Sequence, residues 1–349
     1  MMSDENSVDC AQAVTRRQVI AGLASAALLS TAHGAGRRSG SDATRRVDVH
    51  HHLAPPAQIA ALGSAGVTMF SAMTGWSVQK SLDVMDLAGI HTSILSITNP
   101  GLWFDDPKAA TLARACNEYS ASLVGEHRGR FGFFAALPLY DVDASLREAA
   151  YALDVLGASG VHLFTNYRGK YLGDPSLVPL FAELGRRRAI VFVHPASAAC
   201  CANLVPGVPD SVIEFGTETT RTIASLLFSE ALAHTAGVKF IFSHAGGTMP
   251  AVIERFEDLA RNERRASEGW VRAALARFYY DTAQAANRTN MTALKTIVPV
   301  SQFLFGSDYP FRDIAGQIVT LQKSGLTHTE LNQVLAQNFA RLSNAAIAE

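Results

Sequence analysis

From about residue 45 the chain alternates short apolar runs with longer stretches whose apolar positions recur at helical spacing. The runs are 46–50 (RVDVH), 92–97 (TSILSI), 131–137 (FGFFAAL), 160–165 (GVHLFT), 189–194 (AIVFVH), 238–244 (VKFIFSH), 278–281 (FYYD) and 302–308 (QFLFGSD). Most are rich in β-branched or aromatic residues, as strands buried on both faces are. The stretches between them read as amphipathic helices. Eight strands, each followed by a helix, predict a (β/α)8 TIM barrel over residues 45–349, with helices at its C-terminus. A doubly wound open sheet is the alternative. Neither G-x-G-x-x-G nor G-x-x-x-x-G-K-[ST] follows a strand, which removes that fold's usual nucleotide-binding reading and leaves no organic cofactor in view.

The residues between the runs agree. Ser77 is placed to cap the helix carrying Leu82, Met85 and Asp86, which ends at Gly89. Pro107 opens the next helix, Asp174-Pro175 supply a cap and first-turn proline, and Thr327 with Glu330 forms a capping box. Glu218 to Arg221 read as a helix start, with Glu218 as its first-turn charge and Arg221 as a substrate or interface contact. Residues 1–44 stand apart. Arg16-Arg17 precede an apolar stretch, 21–29, and small residues follow, a pattern that resembles a twin-arginine export signal and flexible linker. The stretch is about half a membrane span. The mature protein is therefore expected off the membrane and periplasmic or secreted, with a cytoplasmic location as the alternative.

Composition narrows the classes. The 349 residues include 30 Lys+Arg against 31 Asp+Glu, a net charge of -1, so no basic field exists for a nucleic acid. At 48% hydrophobic the chain is too apolar for disorder. Four cysteines are too few for a disulfide scaffold of this length. Cys116 falls in an amphipathic pattern and reads as core. Cys200-Cys201 fall in the loop after the fifth strand, where thiolate ligation is a lesser option.

The 11 histidines carry the chemistry. Barrel enzymes work at the C-terminal ends of their strands, and here strand one ends His50-His51-His52, strand five in His194, strand six in His244 and strand eight in Asp308. Alternation puts His50 and His52 on one side and His51 on the other, as support or packing. Imidazoles from different strands with a carboxylate opposite make a zinc-type ligand set. His91, His127, His162, His234 and His328 fall at helix ends, strand starts or mid-strand and read as ordinary packing.

This set resembles the amidohydrolase superfamily. The stretches 48–56 (DVHHHLAPP), 192–195 (FVHP), 243–247 (SHAGG) and 305–310 (FGSDYP) narrow it to the aminocarboxymuconate semialdehyde decarboxylase branch. Stretches 131–139, 165–174 and 217–221 are most similar to 6-methylsalicylate decarboxylase-like members. The resemblance implies a barrel of the metal-dependent hydrolase type with His50, His52, His194 and Asp308 as ligands of one divalent metal. Zinc is expected and manganese is used by some relatives. Strand four ends without the lysine that bridges two metals in binuclear members. His244, beside the metal, and Asp308 are the implied catalytic residues, and Arg255 would reach a neighbouring subunit's substrate in a homodimer.

The implied reaction is non-oxidative decarboxylation of an ortho-hydroxy aromatic acid. The metal anchors the acid, the carbon bearing the carboxylate is protonated through Asp308 or His244, and loss of CO₂ restores aromaticity. Asn166, Tyr167, Trp103 and Phe104 are candidate ring contacts. No arginine occurs between Arg46 and Arg114, where several relatives hold a substrate-binding one, which favours a small, apolar acid. Hydrolysis of a lactone, ester or amide at the same metal is the alternative.

Overall fold

The computed structural model describes residues 45–67, 69–102 and 108–347. The Arg16-Arg17 segment, Trp103, Phe104 and Pro107 lie outside the described residues. The apolar runs form eight strands: β1 (Val47–His52), β2 (Thr92–Ser96), β3 (Phe131–Ala136), β4 (Gly160–Phe164), β5 (Ile190–His194), β6 (Lys239–Phe242), β7 (Tyr279–Asp281) and β8 (Phe303–Leu304). They pair in parallel in chain order. First and last are joined too. The Val49 N–H donates to the Phe305 carbonyl at 2.9 Å, and the Asp308 and His52 N–H groups donate to the His50 and Tyr309 carbonyls at 2.8 Å. The sheet thus closes as a (β/α)8 barrel with no free edge.

Val49, Ile94, Phe134, Ile190, Phe192, Ile241 and Leu304 fill the barrel interior together with Phe339 and Leu342 of the terminal helix Asn338–Ile347. Asn338 pins that helix by donating to the carbonyls of Val300 and Phe303 at 2.8 and 2.7 Å. One end of the barrel is therefore plugged where the strands begin, and polar chemistry is left to the end where they finish. A larger apolar cluster packs the strands against the surrounding helices. No helix among the described residues is long and apolar enough to cross a membrane.

The expected caps form. Ser77 accepts from the Lys80 N–H, Gly89 ends helix Val78–Ala88 at φ 68°, and Thr327 and Glu330 cap reciprocally. Two expectations are corrected. The eighth run is regular only over Phe303–Leu304, because the chain then turns along β1 and Asp308 adopts a left-handed φ of 65°. The helix expected to start at Glu218 runs Asp210–Leu227 from Pro209, so Glu218 and Arg221 lie inside it.

β1 carries a register irregularity between Asp48 and His51. Val49 packs in the interior cluster, and His50, the next residue, also turns inward, 5.1 Å ring to ring from Phe192. Such a bulge re-aims side chains at a barrel rim. The buried Asp48 carboxylate holds it, accepting from the His50 N–H at 3.1 Å, the Ser307 N–H at 2.9 Å and the Ser307 hydroxyl at 2.6 Å. Opposite, Gly306 has no room for a side chain: a Cβ there would sit 2.8 Å from the His50 Cβ and 3.1 Å from that of Asp281. Gly306→Ala is therefore expected to destabilise the fold by about 1–3 kcal/mol through overpacking and to weaken metal binding. Thermal denaturation with and without added zinc checks both effects.

Candidate metal centre

His50, His52, His194 and Asp308 are all buried, and their ligand atoms lie within 4.8 Å of one another. His50 Nε2 is 3.1 Å from His52 Nε2 and 3.2 Å from Asp308 Oδ1, and His52 Nε2 is 3.1 Å from the same oxygen. Ligand atoms about 2.0–2.1 Å from a tetrahedral zinc stand roughly 3.3 Å apart, and those of an octahedral ion at that range roughly 3.0 Å apart. The observed spacings suit either geometry. Three imidazoles and a carboxylate are an apt donor set for a divalent transition ion, and these residues make a metal site.

The surrounding groups aim the ligands. His50 Nδ1 donates to Asp281 at 2.8 Å and His194 Nδ1 donates to the Pro195 carbonyl at 3.0 Å, which leaves each Nε2 for an ion. Burial drives the proton off His194, well below the usual imidazole range, as a ligand requires. Burial opposes a charge on His50 as well, but the Asp281 and Asp308 carboxylates outweigh it and raise its pKa to about 10. Burial would raise Asp308, yet His50 and His52 hold it well below the usual carboxylate range. An incoming cation would displace the His50 proton and take over its place between the carboxylates.

His244 completes the ring of imidazoles. Its ring lies 5.1 Å from His50 and 5.8 Å from His194, and its backbone N–H donates to Asp281 at 2.9 Å. Nδ1 donates to the Ala283 carbonyl at 3.0 Å, so Nε2 remains to accept or hold a proton. His244 and Asp308 are both non-glycine residues at positive φ, 55° and 65°, a conformation that concentrates at functional sites. His51 faces the other way, as alternation predicts, between Ser81 at 3.0 Å and Asp48 at 3.3 Å. Cys200 and Cys201 are free, outside the ligand cluster, and Cys116 is buried in the core.

Three supporting residues escaped the sequence reading. Asp48 stitches the bulge, Asp281 orients His50 and His244, and the Gln284 amide donates to Asp308 Oδ2. Asp281 was within reach, because it ends its strand just as the histidines end theirs.

Beside the centre lies a cavity of about 640 Å³, walled by Ile97, Leu102, Leu137, Leu139, Phe164 and Phe215 among others. The ligands do not line it, but they adjoin it: the Phe215 and His162 rings are 6.1 and 6.2 Å from that of His194. Asn166 and Tyr167, two of the candidate ring contacts, line the cavity. Asn166 is held by donating to the Ala196 carbonyl and to Glu218, each at 2.8 Å. Glu218, read as a helix-start charge, lies inside its helix, is fully buried and accepts from Tyr171 at 3.0 Å and Arg221 at 2.5 Å. Arg221 is spent on that ion pair and is absent from the cavity wall. Arg255 is exposed on helix Ile253–Asn262 and does not reach the cavity of its own chain. Arg168, which the sequence did not single out, lines it and lies 4.5 Å over the Tyr140 ring.

Comparison with known proteins agrees with this architecture. The chain is 38% identical to a 6-methylsalicylic acid decarboxylase of Penicillium expansum over 276 residues, 76% of this chain and 85% of the relative. It is 35% identical to that of Aspergillus aculeatus over 321 residues, 86% of this chain and 97% of the relative. The fold matches a dihydroxybenzoic acid decarboxylase of Polaromonas sp. JS666, crystallised with manganese and 2-nitroresorcinol, at a TM-score of 0.73 and 19% identity, covering 86% and 96% of the two chains. The amidohydrolase family model matches residues 47–342, nearly all of the barrel, and the chain belongs to the amidohydrolase family.

Proposed function

We propose that this protein is a metal-dependent, non-oxidative decarboxylase of an ortho-hydroxy aromatic acid of the salicylate type, with 6-methylsalicylate as the first candidate. The observation that carries it is a buried His₃Asp metal site beside a largely apolar cavity of about 640 Å³, in a chain whose relatives are named 6-methylsalicylic acid decarboxylases. A bound divalent ion supplies positive charge and a template for the acid's oxygens. The apolar wall takes the ring, and Asn166 and Tyr167 bound it on one side.

The remaining work is one proton delivered to the carbon that carries the carboxylate, followed by departure of CO₂. His244 suits that task. Its Nδ1–H is tied to the Ala283 carbonyl, which leaves Nε2 as the nitrogen able to deliver a proton. Asp308 suits it less, because its neighbours keep it ionised and both its oxygens are engaged. Zinc is our choice of ion, from the donor set. Arg255, exposed and unengaged with its own cavity, is free to serve a neighbouring copy, and a homodimer is part of the reading. Export by the twin-arginine route, resting on Arg16-Arg17 and the apolar stretch 21–29, belongs to it as well.

Incubating the protein, after elemental analysis for zinc and manganese, with 6-methylsalicylate, other hydroxybenzoates and a set of aryl lactones and esters tests the reading. Release of CO₂ and 3-methylphenol from 6-methylsalicylate is expected; hydrolysis of lactones without any decarboxylation would overturn it. His50→Ala is expected to lose metal and activity together. His244→Asn should keep the metal and lose about 10²–10⁴-fold in kcat, the range for a general acid. Metal affinity should also depend on pH. His50 holds its proton up to about 10, and that proton must leave for the ion to bind. Affinity therefore rises as pH rises, by about tenfold per unit for one displaced proton. Competition with a chelator between pH 5.5 and 8 reads the slope, and Asp281→Asn should weaken binding about 10–100-fold.

A further inference from the structure

The imidazoles around the metal centre each have at least one ring nitrogen engaged by the protein: His50 by Asp281, His52 by Asp308, His194 by the Pro195 carbonyl and His244 by the Ala283 carbonyl. His162 is different. It is 2% exposed, and neither ring nitrogen has a hydrogen-bond partner. β4 sends Val161 and Leu163 into the cluster under the helices and turns His162 to the barrel interior, in register with Phe192 and two residues before the Phe164–His194 pair. Its ring lies 4.6 Å from that of Phe164, 5.6 Å from Phe192 and 6.2 Å from His194. It also lines the cavity beside the metal centre.

Read along the sequence, His162 is an ordinary packed histidine with a satisfied hydrogen bond. The structure removes the satisfaction. A buried donor and acceptor left without partners is costly, whereas a phenylalanine would suit a site already walled by Phe164 and Phe192. Both nitrogens are closed off in this structure, but the ring lines the cavity, and a slight turn of it would offer a nitrogen to whatever occupies that space. Ile97 and Leu137 are among the apolar residues of the same cavity wall. A polar atom on an otherwise apolar ligand, lodged beside the metal centre, would meet that nitrogen.

We propose that His162 hydrogen-bonds the ring hydroxyl of the aromatic acid and so selects hydroxylated rings over unhydroxylated ones. The assignment rests on the functional reading above, which names the class of acid. It is a positioning and selecting role, separate from the delivery of the proton by His244. A site built to hydrogen-bond a hydroxyl discriminates strongly against its absence, because the buried imidazole is then left unpaired.

The test uses two unreactive probes that differ only in the hydroxyl, 2-nitrophenol and nitrobenzene, titrated by calorimetry into the metal-loaded full-length protein. Wild type, His162→Phe and His162→Asn are compared, with metal content measured in each. The Phe variant is expected to keep its metal, to melt at or above the wild-type temperature, and to bind 2-nitrophenol roughly tenfold or more weakly with nitrobenzene unchanged. The Asn variant, which keeps a donor and an acceptor, should recover part of the loss and remains informative if the Phe variant fails to fold. Equal losses for both probes in either variant, or no loss for 2-nitrophenol, would overturn the assignment and mark His162 as structural. Failure of the wild type to bind 2-nitrophenol would overturn it too, and turnover of 6-methylsalicylate by the same preparation tells whether the functional reading falls with it.

Discussion

The closure of the sheet between β1 and β8 is the constraint on which the site depends. His50 and His52 come from one strand and Asp308 from the chain that follows the other, more than 250 residues away in sequence. They meet only because three backbone hydrogen bonds zip the seam. Asp48 strengthens that seam from the outside, binding Ser307 through both its backbone and its hydroxyl, while the same carboxylate braces the bulge that turns His50 inward. Gly306 allows the approach by presenting no side chain to His50. Fold closure and metal coordination are thus one structural event.

Burial makes the electrostatics of this seam strict. Carboxylates and imidazoles out of water must neutralise one another or hold an ion. Asp281 and Asp308 flank His50, and the pair is balanced by a proton or by a cation in the same place. Asp281 does more than balance charge, because its second oxygen takes the backbone N–H groups of His244 and Ala283 at 2.9 Å. One buried aspartate therefore sets a metal ligand and His244 in a fixed relation. Glu218 plays the corresponding part beneath the cavity, where it gathers Asn166, Tyr171 and Arg221.

Much of this was legible from residue pattern. Apolar runs of four to eight residues separated by helical periodicity imply buried parallel strands, and His50, His52, His194, His244 and Asp308 stood out as candidates because they lie where such runs end, the family resemblance then picking four of them as ligands. Ser77, Gly89, Thr327 and Glu330 were legible for a related reason: caps are decided by neighbours a few residues away. Arg221's ion pair was not legible, because its partner Glu218, three residues away on the same helix, is known to be buried only once the fold is in place. His162 was legible as a packed residue but not as an unpartnered one. A histidine inside an apolar strand is ordinarily satisfied, and only the packing around β4 reveals that nothing satisfies this one.

By itself, then, the sequence determined the number and order of the strands, the caps of several helices and, with the family resemblance, the four candidate metal ligands. Each of these depends on local periodicity or on a residue's place at the end of an element. Only the tertiary structure decided which carboxylates orient the ligands, which arginine is tied up, and which imidazole faces the cavity without a partner. Those outcomes depend on contacts between strands and helices distant in the chain, and the bulge at Asp48 changes the facing of side chains in a way that strict alternation along β1 does not contain.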